Sequence, residues 1–158
     1  MVEIIRIGSD FGRWPELLGL VRDAFAYMDG VIDPPSSALA LTASSLEQKA
    51  QAEVAYAAID GDRLVGCVFC RPEPPDFLYI GKLAVDPSAQ GMGIGRRLLA
   101  QAEATAAELA LPALRLETRI KLTDNHACFA AWGFVKTAEN RHAGFARTTS
   151  IEMQKRLR

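Results

Sequence analysis

The chain has 158 residues, 49% of them apolar and 23% charged, with a formal net charge of −1. That length suits a single domain over 1–158, able to bury roughly 70% of its unfolded surface without a metal or a disulfide. Near-neutrality argues against general binding to nucleic acid or anionic membrane, and no uncharged apolar run approaches the ~18 residues of a membrane span. The opening Met1-Val2-Glu3-Ile4-Ile5-Arg6 lacks a basic segment leading into an apolar one, so a cytoplasmic protein without a signal peptide is expected. Cys67, Cys70 and Cys128 are an odd set, which fits a reducing compartment.

In chain order, residues 2–7 read as a strand and 14–25 as an amphipathic helix with Pro15 in its first turn. Paired Pro34 and Pro35 forbid regular helix in 28–37, and a short helix is expected around 46–52. Strands follow at 54–59 and 63–71, joined by Asp60-Gly61-Asp62, a hairpin signal. Pro72, Pro74 and Pro75 mark a surface loop before a strand at 77–85. Residues 93–109 read as a long helix with Leu98, Ala102, Ala106 and Leu109 on one face, stopped by Pro112. A strand at 114–118, a short helix at 124–131 capped by Thr123 or Asp124, and closing strands near 134–139 and 148–155 complete the chain. The strand–helix–strand unit over 77–118 implies a parallel pair with a right-handed crossover, and the hairpins make the sheet mixed. The expected fold class is mixed α/β.

Cys67 and Cys70 form a C-x-x-C, but strand residues three apart point to opposite faces. Their sulfurs are not expected to meet, and no metal or redox site is predicted.

The chemistry concentrates in Gln90-Gly91-Met92-Gly93-Ile94-Gly95-Arg96-Arg97, between a strand and the long helix. Alternating glycines let the backbone adopt positive φ and approach a ligand closely. A helix start leaves N–H groups unpaired at the positive end of the macrodipole, an anion site suited to phosphate. Two arginines in that first turn are disfavoured by about 0.3–1 kcal/mol each, which hints at a bound anion. A glycine turn with solvated arginines is the plainer reading. No Lys-Ser/Thr follows the glycines, so this is not a nucleoside-triphosphate loop. The dinucleotide pattern G-x-G-x-x-G fails as well, because Arg96 or Leu98 occupies its third glycine position.

The segment resembles the Q/R-x-x-G-x-G/A motif of the GNAT superfamily of N-acetyltransferases. It is preceded by Leu83-Ala84-Val85-Asp86-Pro87. A second block, Asn125-His126-Ala127-Cys128-Phe129-Ala130-Ala131-Trp132-Gly133-Phe134, is similar to the family's N-x-A-x-Y-x-x-x-G-F variant. The specific resemblance covers residues 78–134. It implies the acyl-coenzyme A N-acyltransferase fold, a central mixed sheet flanked by helices whose parallel pair splays apart to admit acetyl-coenzyme A. By this resemblance Leu83, Ala84 and Val85 lie along the cofactor, with main-chain groups of Leu83 and Val85 pairing with its pantetheine arm. Gln90 opens the motif, and N–H groups of Gly91, Met92, Gly93, Ile94, Gly95 and Arg96 cradle the pyrophosphate. Asn125 and Phe129 lie beside the cofactor.

The implied reaction moves an acetyl group to a primary amine, of a small molecule or a peptide, by direct attack in a ternary complex. An alkylammonium has a pKa near 10.4 and needs a base before it attacks. A main-chain N–H of 83–85 is expected to steady the oxyanion. The family's usual acid is a tyrosine, but Phe129 stands at that position and cannot donate a proton. Tyr79, Glu117, His126 and His142 are the available replacements, and Tyr79 or Glu117 is the expected proton carrier. Glu117 has an alternative as an ion-pair partner of Arg115 or Arg119, and His126 and His142 as structural or solvated groups. The acceptor pocket is expected from 25–37 and 141–147, where Tyr27, Asp29, Asp33 and His142 are candidate contacts; the two acids would suit a cationic amine or cap local turns. A non-catalytic acyl-coenzyme A-binding module on the same fold is the alternative that Phe129 raises, and a dinucleotide-binding domain is a more distant one. Family members often dimerise through the closing strands, so a homodimer is compatible with the resemblance.

Overall fold

A computed structural model describes residues 1–157 of the chain. Seven strands form one sheet: β1 (Val2–Arg6), β2 (Val54–Asp60), β3 (Arg63–Glu73), β4 (Phe77–Val85), β5 (Ala113–Arg119), β6 (Val135–Asn140) and β7 (Ser150–Arg156). Their spatial order is β1-β2-β3-β4-β5-β7-β6. All neighbours are antiparallel except β4 and β5, which are parallel and joined through a helix. The helices are α1 (Trp14–Phe25), α2 (Ala43–Ala52), α3 (Ile94–Glu108) and α4 (Thr123–Ala131). None is long and apolar enough to cross a membrane. Element order agrees with the sequence reading throughout.

Period-two alternation builds a core on each face. On β2, Tyr56 and Ala58 join α3 residues Leu98, Ala102 and Ala106 on one side, while Ala55 and Ala57 join Leu17, Val21 and Leu46 of α1 and α2 on the other. Cys70 falls in the first cluster and Cys67 in the second, so the C-x-x-C sulfurs are separated by the sheet. Burial pushes both thiols up to about 12.

Several boundaries depart from expectation. Helix α2 starts at Ala43, three residues ahead of the predicted 46, because Thr42 and Ser45 form a reciprocal capping box with bonds of 3.0 and 2.9 Å. Pro72 belongs to β3 rather than the loop, opposite Leu78. Leu122, not Thr123 or Asp124, occupies the N-cap of α4; its side chain is buried and has no acceptor, so the helix starts without a side-chain cap. Leu109 caps the C-terminus of α3 and is exposed, its packing role taken by buried Leu111.

The departure that matters most is a bulge in β4. Cys67 pairs with Ala84 and Phe69 with Gly81, so Val68 alone opposes Lys82 and Leu83. Lys82 takes φ +48, in the left-handed region that side-chain-bearing residues avoid. Leu78 and Ile80 face α3 before the bulge, and Leu83 and Val85 do so after it. The inserted residue flips the strand's parity. Pairing between β4 and β5 covers only Phe77↔Ala113, Leu78↔Leu114 and Tyr79↔Arg115. Beyond Tyr79 the strands part.

Helix α3 packs tightly over this region at Gly66, where an added Cβ would lie 3.0 Å from Leu98 Cδ1, 3.1 Å from the Ala84 carbonyl and 3.1 Å from Ile94 Cγ2. Gly66→Ala is expected to destabilise the fold by about 1–3 kcal/mol through overpacking, read as a lower urea midpoint at unchanged slope.

Candidate active site

The parting strands open a cleft of about 1260 Å³, above the usual ~300–1,000 Å³ of a small-ligand pocket. One end lies at the start of α3. Gly91 and Gly93 have φ +84 and +77, with nothing within 4 Å of a Cβ added to either, so their role is conformational. Gly93 caps α3 without a side-chain bond, and the first intrahelical bond runs from Arg97 N–H to Gly93 O at 3.1 Å. The N–H groups of Ile94, Gly95 and Arg96 therefore begin the helix without intrahelical partners. No acid occupies this turn. Such a donor set fits an anionic phosphate.

Gly91, Gly93, Ile94, Gly95, Arg96 and Gln90 all line the cleft. Met92 does not; its side chain is 59% exposed, because the left-handed glycines on either side turn it outward. Arg97 is also directed elsewhere, donating to Val2 O at 2.8 Å and tying α3 to β1. Only one of the two arginines faces the cleft.

The walls come from β4, β5 and α4. Leu83, Ala84 and Val85 line one side, Leu116, Glu117 and Thr118 the other, and Asn125 and Phe129 a third. Phe129 stacks edge-on against Trp132 and Phe134 at 5.8 and 5.7 Å. Asn125 Nδ2 donates to Tyr27 Oη at 3.0 Å, linking the start of α4 to the turn after α1. His126 contacts Arg119 O at 2.8 Å through Nε2, a bond that holds α4 to β5.

Tyr79 and Glu117 are both cleft residues. The Tyr79 ring lies between the guanidiniums of Arg71 and Arg115, each 4.6 Å from its centroid. Burial, reinforced by nearby Glu117, raises the Tyr79 pKa and keeps the phenol protonated at neutral pH, while the two arginines oppose. Glu117 accepts from Arg115 Nη1 at 3.2 Å, yet keeps 38% of its side-chain surface. Arg115 also binds Glu73 at 2.9 Å and Glu152 at 3.1 Å. Its bonds hold the Glu73 carboxyl below its usual range, and three carboxylates raise the pKa of Arg115 itself.

Of the four candidate acceptor contacts, Tyr27 and His142 line the cleft. His142 is fixed by Thr149, whose Oγ1 meets its Nδ1 and accepts from its backbone N–H. Asp29 and Asp33 lie outside the lining. Asp29 follows a short turn after α1, and Asp33 faces Arg147 at 4.0 Å across the outer surface. The cleft instead presents Lys49, Arg71, Lys82 and Arg119, none of them expected from the sequence. Arg119 carried one readable signal: it follows Arg115 and Glu117 at two-residue spacing, which places all three on one strand face. Lys82 carried none, since only the bulge turns it there.

The profile of the acetyltransferase (GNAT) family matches residues 14–134. The chain belongs to this family. No curated protein matches the chain significantly. Among solved structures, this GNAT chain is similar to the PaiA N-acetyltransferase of Thermoplasma acidophilum in complex with coenzyme A, at TM-score 0.80 and 15% identity over 99% of both chains. The ribosomal-protein-S18-alanine N-acetyltransferase of Escherichia coli gives 0.76 and 18%, covering 99% of this chain and 94% of that one. An aminoglycoside 6′-N-acetyltransferase complexed with coenzyme A also gives 0.76 and 18%, over 98% and 96%. At these identities the likeness is one of fold.

Cys128 is exposed and lines the cleft, whereas Cys67 and Cys70 are buried. A disulfide reagent at pH 8 is expected to label one thiol per native chain and three after denaturation. Labelling of Cys67 or Cys70 at the same rate as Cys128 would contradict the packing.

Proposed function

We propose that this GNAT protein is an acetyl-coenzyme A-dependent N-acetyltransferase that acts on a primary amine by direct transfer in a ternary complex. The observation that carries the reading is the early end of β4–β5 pairing, with the uncapped start of α3 at the mouth of the gap. Coenzyme A, when bound, supplies the acetyl group as an activated thioester. The free N–H groups of Ile94, Gly95 and Arg96 hold its phosphates, with the Arg96 side chain adding charge. The unpaired edge of Leu83–Val85 offers main-chain groups to the extended arm, and one N–H there steadies negative charge developing on the acyl oxygen.

Glu117 is the candidate base. It is ionisable, partly exposed and oriented by Arg115, which lets it take the amine proton directly or through water. Tyr79 is the candidate acid, because its phenol lines the cleft and, protonated at neutral pH like any tyrosine, can donate to the departing sulfur. Phe129 leaves the family's usual acid position without a hydroxyl, which favours as second reading a module that binds acyl-coenzyme A without turnover.

Thiol release from acetyl-coenzyme A, with and without pooled amines, separates the two. Amine-dependent release is expected. Glu117→Gln and Tyr79→Phe should each lower kcat by about 10²–10⁴ while leaving coenzyme A affinity within twofold; full turnover in both would remove these roles. Gly93→Ala carries a left-handed penalty of about 1–2 kcal/mol, so the loop should relax and weaken coenzyme A binding by roughly tenfold in calorimetry.

A further inference from the structure

The bulge that opens the cleft also sets the charge of its acceptor side. Lys82 leaves the α3 face, since Leu83 packs there instead, and Ala84 beyond it joins the core beneath α1 and α2. On β5, Leu114 and Leu116 face α3, so Glu117 and Arg119 point with Lys82 to the opposite face. A rise of about 3.3 Å per residue puts Glu117 and Arg119 roughly 6.6 Å apart along the strand.

Lys82 and Arg119 are half-buried cations facing the cleft, and neither has a carboxylate in ion-pair range among the described residues. Lys82 Nζ donates to Ser37 Oγ at 2.7 Å. Arg119 donates to Pro34 O at 2.6 Å and Pro35 O at 3.2 Å. These oxygens are neutral, so they satisfy hydrogen bonds without balancing charge. Lys49 stands nearby, paired with Glu53 at 2.7 Å, and Arg71 is paired with Glu73 at 3.1 Å. Burial, then repulsion from Lys49 and Arg119, pulls the Lys82 pKa down while Glu53 opposes, and burial lowers that of Arg119 while Asp33 opposes. Against these four cations the same lining offers Asp23 and Glu117, and Glu117 is bound to Arg115. Two cations at one end of a cleft, neither in a direct ion pair, repel an acceptor with extra positive charge and favour one that brings an anion. Arg119 gives one hydrogen of each terminal nitrogen to the proline carbonyls, which leaves its remaining N–H donors to share a carboxylate with Lys82.

Resting on the transferase reading above, we propose that the acceptor is a free amino acid, its carboxylate held by Lys82 and Arg119 and its amine presented to Glu117. The bulge thus makes a specificity element as well as a cofactor slot.

The test measures kcat/KM by thiol release for each standard amino acid beside its own carboxamide, with phosphoethanolamine beside ethanolamine. The carboxamide's amine loses its proton more readily, so preference for the acid cannot come from amine basicity. The best amino acid is expected to exceed its amide by about tenfold or more. Lys82→Gln and Arg119→Gln should each collapse that ratio toward one. Lys82→Arg and Arg119→Lys should largely keep it, which separates charge from loss of the proline-loop anchor. An amide equal to or better than its acid, or phosphoethanolamine preferred to every carboxylate, overturns the proposal. Amine-dependent release indifferent to the carboxylate would leave the transferase reading standing and overturn this inference alone. No amine-dependent release, in protein whose Tm coenzyme A still raises, would overturn both.

Discussion

One extra residue in β4 organises the molecule. A regular strand would stay paired with β5 along its length, and the sheet would have no opening. With Val68 facing both Lys82 and Leu83, β4 bends away from β5 after Tyr79 and presents an unpaired edge to the gap. The same insertion exchanges the faces of everything downstream, placing Leu83 and Val85 against α3 and Lys82 on the other side. A lysine at φ +48 costs about 1–2 kcal/mol, and the two cores that clamp β4 from opposite faces hold it there.

The point of divergence is itself locked. Arg115 is the last β5 residue paired with β4, and its side chain is 16% exposed. It reaches Glu73 on β3, Glu152 on β7 and Glu117 on its own strand, so one guanidinium spans the sheet where it splits. Its other face, with Arg71, brackets the Tyr79 ring. A half-buried network of this kind holds geometry more than it adds stability, since desolvation offsets much of the attraction. The two side chains proposed to move protons are both oriented by it.

The opposite end of the cleft uses backbone. Gly91 and Gly93 adopt angles that leave the first N–H groups of α3 unpaired, and Trp132 of the second motif lies 3.4 Å from a Cβ built on Gly95. The two sequence blocks that carry the family resemblance thus meet in space. Their separation along the chain is the length of α3 and β5, the crossover that a parallel pair requires.

Local chemistry was legible because its causes are local. Element order, the bounds of α1, the Gly61-Asp62 turn, the opposed cysteines and the glycine loop follow from periodicity, turn residues and strand parity. The start of α2 was missed because a threonine–serine capping box lacks the usual acid at its third position. Where Arg97, Asp29 and Asp33 turn was not legible, because composition does not say where a side chain finds its partner: Arg97 finds Val2, and Asp33 faces Arg147. The sequence by itself determined the elements, their order and the glycine loop at the start of α3. The tertiary structure decided which charges face the cleft, because a bulge that flips parity comes from competition between two packed faces, and no run of residues along β4 announces it.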